Sequence, residues 1–202
     1  MKRLGFLLLL LVAFQSCAQQ SKQDLDLVHW NSPYFVVNYS EWLEQPVDVR
    51  YRVACTNGTA SRKGLNFHTE SNVHTSDDAD YYKNEWDKGH MAPAGSLNCT
   101  EDMLWETFSY VNCALQHEKL NRGVWKTLEE RERYLSEWVG MNADVYIELD
   151  FGDYIERVPA GAAIPIGFYK EVIIGDLREC YWFANVEPLS DDLEDYQCKC
   201  RE

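Results

Sequence analysis

The sequence predicts a single α+β domain with an antiparallel β-sheet core and one prominent helix. Three observations lead there. The chain has 202 residues, 46% of them hydrophobic and 13% aromatic, enough for one substantial core. Short apolar runs alternating with polar residues recur early and late in the chain, which reads as strands. Between them the stretch 117–139 carries apolar residues at helical spacing. No internal repeat is visible.

Taken in order, the chain opens with Lys2 and Arg3, an apolar run from Leu4 to Phe14, and then Gln15-Ser16-Cys17-Ala18. That is a charged segment plus a hydrophobic one too short to span a bilayer, so residues 1–17 read as a signal peptide. Two processing routes fit: cleavage after Ala18, or lipidation of Cys17 at a loose lipobox, the route we favour. Either implies export, to the periplasm or outer membrane of a bacterium as a lipoprotein, or as a secreted protein. Residues 18–29 read as a polar tether, 30–190 as the folded domain, and 191–202 as an acidic solvated tail. Within the domain, Tyr34–Val37 and Val49–Val53 are expected strands, and 56–80 is a long surface loop containing Asn57-Gly58 and Lys63-Gly64. Leu120, Val124, Leu128, Leu135 and Val139 mark the helix, supported by Glu118–Arg122 and Glu129–Arg133 pairs. Val145–Ile147, Val172–Ile174 and Tyr181–Phe183 are further strands.

The formal net charge is −14; loss of Lys2 and Arg3 with the leader leaves 17 basic against 33 acidic residues, or −16. Such a balance counts against a dedicated nucleic-acid binder, which presents a basic face. It does not exclude an enzyme whose bound cation supplies local positive charge. Apart from Cys17, six cysteines remain (Cys55, Cys99, Cys113, Cys180, Cys198 and Cys200), an even number compatible with disulfides in an exported protein. Cys198 and Cys200 are too close for an easy mutual bond, so each is expected to pair elsewhere. No C-x₂-C or H-x₃-H pair points to zinc.

The chemistry-bearing stretch is Asp87-Lys88-Gly89-His90-Met91-Ala92-Pro93-Ala94, followed by Asn121 and Glu129. An imidazole can take a proton from water, an amide oxygen can bind a hard cation, and a carboxylate can hold that cation's water. Singly, each residue has a plainer reading. A histidine after glycine is usually a turn residue, Asn121 suits a helix N-cap, and Glu129 could simply pair with Arg133. The order and spacing favour the joint reading. On one helix Asn121 and Glu129 would be rotated by only about 80°, with His90 facing them from a strand or tight connection.

These stretches, DKGHMAPA, then VNCALQ, then LNRGVWKTLEE, resemble the DNA/RNA non-specific endonucleases of the ββα-metal (His-Me finger) class. Their motif is D-R-G-H-x-A-P-A with a downstream N-x-G-x-W-x-x-L-E. The resemblance runs over roughly residues 50–185, with Pro165-Ile166-Gly167-Phe168-Tyr169-Lys170 similar to a later family segment. It implies a ββα-metal motif, with one long helix carrying the metal ligand. It also implies a magnesium-dependent endonuclease, with manganese as an alternative ion and no small-molecule cofactor, acting on DNA and RNA. His90 would be the base, Asn121 the magnesium ligand, and Glu129 would act through metal-bound water. Arg62 would stabilise the transition state, and Lys88, where the family has arginine, would contact phosphate less directionally. Asp87, Asn112 and Gln116 would support the site by hydrogen bonding. The family's S-N-x-x-P-Q is here Val111–Gln116 without its proline. That departure, Lys88 and the acidic surface keep open a second reading, a catalytically decayed cell-envelope binding lipoprotein. Oligomeric state is not legible.

Overall fold

The computed structural model describes residues 26–201. The leader, Cys17 and the tether up to residue 25 lie outside that range. The fold class is as expected. Six strands form one sheet: β1 (Leu27–Asn31), β2 (Phe35–Ser40), β3 (Gln45–Arg52), β6 (Asp144–Asp150), β7 (Gly167–Ile174) and β8 (Leu177–Ala184), in that spatial order. All neighbours are antiparallel. Residues 27–29, expected within the tether, instead pair with β2 as the edge strand. A separate two-stranded ribbon joins β4 (Trp86–His90) to β5 (Cys113–His117), and between these two strands lies α1 (Glu101–Thr107).

Alternation sorts the sheet's two faces. Val49 and Tyr51 of β3, Ile147 of β6, Phe168 and Lys170 of β7 and Phe183 of β8 are all buried. Against them packs the longest helix, α3 (Val124–Val139), through Trp125, whose ring lies 5.3 Å from Phe168 and 5.5 Å from Phe183. Lys170 and Glu132 form an ion pair at 2.7 Å with both side chains fully buried, and Tyr51 donates to Glu132 at 2.6 Å.

The helix expected over 117–139 is two helices. α2 (Glu118–Arg122) ends at Gly123, and α3 starts at Val124. Glycine is required at the break because a Cβ there would lie 2.6 Å from the Lys119 carbonyl oxygen. Asn121 therefore sits on the short helix, not on the long helix that carries Glu129, and their relative placement is set by the break rather than by a continuous helical rotation. Gly123→Ala must push the two helices apart, a strain costing about 1–3 kcal/mol. Because Asn121 is displaced with α2, activity should fall by a larger factor than the stability loss accounts for. Thermal melts alongside kcat/KM would check this; equal, small losses in both would contradict it.

Disulfides Cys55–Cys99 and Cys180–Cys200 tie, respectively, the end of β3 to the start of α1, and β8 to the C-terminal segment. Among the described residues Cys198, expected to find a partner of its own, is a free thiol, as is buried Cys113. Cys198 stands beside Cys180, its amide donating to the Cys180 carbonyl at 2.9 Å, but the neighbouring Cys200 holds the bond. The acidic segment, expected to be a solvated tail, is thus anchored over its described residues 191–201: Tyr196 stacks on Phe183 at 4.9 Å.

Candidate active site

The β4–β5 ribbon delivers the imidazole. His90 closes β4 opposite Cys113, its ring 4.9 Å from both Phe67 and Phe108. Gly89 has to be glycine because a Cβ would meet the Gln116 side chain at 2.5 Å. Gln116 is fully buried with no hydrogen-bond partner for its amide among the described residues, so it acts as packing behind the strand. Asn112 clamps the turn after His90. Its carbonyl accepts from the Ala92 amide at 2.7 Å, and its NH₂ donates to the carbonyls of Ala92 at 2.9 Å and Thr107 at 3.0 Å.

Asp87 positions the opposite wall. One of its oxygens accepts from Asn121 Nδ2 at 2.9 Å, and both accept from Arg122, at 2.8 and 2.6 Å. Pinning the amide nitrogen leaves Asn121 Oδ1 for the cleft. Arg122 also makes the expected pair with Glu118, at 3.1 Å.

Arg62, His90, Asn121 and Glu129 all line one cleft of about 330 Å³, together with Arg122, Lys126 and Arg133. A larger groove, about 700 Å³, is lined by residues such as Tyr34, Arg50 and Tyr146, but it holds no comparable base, amide and carboxylate set. The smaller cleft is the one with chemistry.

Lys88 is placed elsewhere. It pairs with Asp78 and lies 5.3–5.8 Å from the ring centroids of Phe67, Tyr81 and Tyr110. A cation held by a carboxylate and aromatic faces is already satisfied, and Lys88 does not line the cleft. The ammonium is thus held by Asp78, from the loop before β4, rather than turned into the cleft where the phosphate contact is expected. Three basic residues, Arg122, Lys126 and Arg133, occupy the cleft instead, and the sequence reading assigned none of them to the site. Positions 126, 129 and 133 share a helical face, which is the signal that could have revealed two of them.

Burial is the main cause pushing the His90 pKa down to about 3, with the Arg62 cation adding to it. The ring is neutral at physiological pH. His90 Nε2 is buried with no partner among the described residues, which leaves Nδ1 as the nitrogen open to the cleft. Burial pushes Glu129 the other way, up to about 7, against the pull of Lys170. A carboxyl with a raised folded-state pKa contributes stability below its unfolded value of 4.5 and loses it as pH rises through about 7. Glu129→Gln should therefore leave the metal-free melting temperature nearly unchanged below pH 4.5 and raise it above pH 7, while lowering activity. Melts in chelator across that range test it, and equal shifts at both ends would contradict it.

The donors suit a hard divalent ion. Asn121 Oδ1 and the Glu129 carboxylate are oxygen ligands or water acceptors of the type magnesium takes. Among the described residues no group of three or more His, Cys, Asp or Glu could hold a metal, so an ion here would keep most of its water.

Zebrafish mitochondrial nuclease EXOG is 35% identical over 107 residues, 50% of this chain and 31% of that protein. Bovine mitochondrial endonuclease G is 28% identical over 133 residues, 58% of this chain and 44% of that protein. A nuclease of Serratia marcescens is 30% identical over 96 residues, 45% of this chain and 35% of that protein. In each case the match spans less than half of the relative's length. A crystal structure of an EndoG/EndoGI complex contains a chain with the same fold, at TM-score 0.72 and 23% identity, covering 85% of this chain and 80% of that one. The profile of DNA/RNA non-specific endonucleases matches residues 14–202, and the chain belongs to that family.

Proposed function

We propose that this protein is an exported, magnesium-dependent endonuclease that hydrolyses phosphodiester bonds in both DNA and RNA. The observation that carries the reading is the convergence of His90, Asn121 and Glu129 on one cleft, with Asn121 oriented by Asp87. His90 Nδ1 takes the proton of the attacking water. Asn121 Oδ1 and, through water, Glu129 would hold the divalent ion, which when bound stabilises charge developing on the leaving oxygen. Arg62, for which no acid partner is found among the described residues, and Arg133 supply cations for the phosphate. This local set of positive charges supports nucleic acid as substrate in a chain whose net charge is −14.

The test is incubation of the purified protein with plasmid DNA and with RNA, in magnesium and in chelator. Both polymers should be degraded only with the cation. Survival of both across several divalent ions, with a folded protein, overturns the reading in favour of a cell-envelope binding lipoprotein. Export is tested by mass spectrometry of the mature N-terminus, where a lipidated Cys17 is expected and a start after Ala18 would indicate the secreted form.

A further inference from the structure

The loop before β4 divides two depressions. Arg62 lines the catalytic cleft, while its neighbours Ser61, Lys63 and Leu65 line a second groove of about 320 Å³, with Leu104 and Trp105 of α1 opposite. Trp105 is stacked face to face on His68, with centroids 4.0 Å apart and planes within 10°, yet 46% of its surface stays exposed. One indole face is thus backed by an aromatic ring, and the rest opens on the groove. Burial lowers the pKa of His68, so a neutral ring lies behind the indole.

We propose that this groove is a nucleobase subsite, in which a base beside the scissile phosphate stacks on Trp105. The inference rests on the endonuclease reading and extends it to where an unpaired strand runs. The 61–65 segment contributes a wall to each depression, Arg62 to the catalytic cleft and Ser61, Lys63 and Leu65 to the groove, and successive Cα atoms are about 3.8 Å apart, a fraction of one nucleotide's length. A strand whose phosphate is met by Arg62 would cross this segment with its next base on the Trp105 side. The rim explains why a base rather than a phosphate would enter. Glu101 and Asp102 also line the groove; they repel phosphate, and they can accept from the exocyclic amino groups of cytosine, adenine or guanine. Lys63 would meet the backbone as it passes. Because every base has a π-face, the subsite selects unpaired over paired strands more than it selects sequence.

Removing a stacking aromatic costs roughly 5- to 150-fold in affinity. Trp105→Ala should raise KM for single-stranded DNA and RNA within that range, with kcat little changed and a smaller effect on duplex DNA. Trp105→Phe should recover most of the loss, which a merely structural role would not do. The decisive probe is a short single-stranded oligonucleotide carrying one abasic site at successive positions, bound in chelator to the His90→Ala protein. One abasic position should weaken binding, and the same position should have no further effect once Trp105 is Ala. Plasmid and RNA cleavage with an unchanged single-strand KM in folded Trp105→Ala, or abasic penalties independent of Trp105, would overturn the subsite while leaving the endonuclease intact. No cleavage or binding of any nucleic acid by the wild type would overturn the endonuclease reading first.

Discussion

His90→Ala is expected to lower kcat/KM by about 10²–10⁴-fold, the usual contribution of a positioned general base. The protein should stay folded, since the ring is a desolvated polar group between Phe67 and Phe108 and its Nε2 has no hydrogen-bond partner among the described residues. The sign of the pH effect follows from its depressed pKa. The native state binds fewer protons than the unfolded chain between pH 6.5 and about 3, so wild-type stability drains away as pH falls through that window. His90→Ala should flatten that loss. A base of pKa about 3 is also a weak one, and part of its depression comes from Arg62. A bound phosphate offsets that cation, so the acid limb of kcat, which reports the substrate complex, should lie at higher pH than that of kcat/KM. Arg62→Ala should raise the His90 pKa seen by NMR titration, though not to 6.5, since burial is the larger cause. Full activity of His90→Ala in magnesium would end the mechanism proposed here.

Lys170→Met should be the most destabilising single change outside the cleft, by about 3–5 kcal/mol, or roughly 6–20 °C in melting temperature. Lys170 pairs with Glu132 at 2.7 Å, and no part of either side chain reaches solvent. Its ammonium also lies 4.4 Å from the centre of the Trp125 ring. Removing it strands the Glu132 carboxylate in the core and takes away the cation that holds down the pKa of Glu129. Replacing both partners of the pair, as in Lys170→Met/Glu132→Leu, should restore most of the stability. The part not restored should reflect the Tyr51 hydroxyl, which loses its 2.6 Å acceptor, and adding Tyr51→Phe should recover it. Chemical denaturation in chelator measures all three variants. A single-variant loss below about 1 kcal/mol would show that the buried pair contributes far less than its geometry implies.

The elements that were easiest to read were those whose evidence is local. The alternation in Tyr34–Val37 and Val145–Ile147 and the apolar stripe ending at Val139 depend only on neighbours in the chain. The break at Gly123 escaped that reading because periodicity runs through it, and only the approach of the Lys119 carbonyl shows why a side chain cannot stand there. Lys88 carried the charge expected of a phosphate ligand, but its fate was decided by Asp78, ten residues away, and by three aromatic rings. Arg133 looked like the partner of Glu129 on one helix, whereas both turn into the same cleft.

By itself, then, the sequence determined which chemical groups this protein possesses, the α+β class and the one amphipathic helix face, because side-chain type and periodicity are properties of consecutive residues. Which groups meet was decided by the tertiary structure: Asp87 on Asn121, Lys170 on Glu132, Cys180 on Cys200 rather than Cys198. Each of those choices joins residues 20 or more positions apart. The winner is the partner that packing brings within bonding distance, and no periodicity in the chain encodes that.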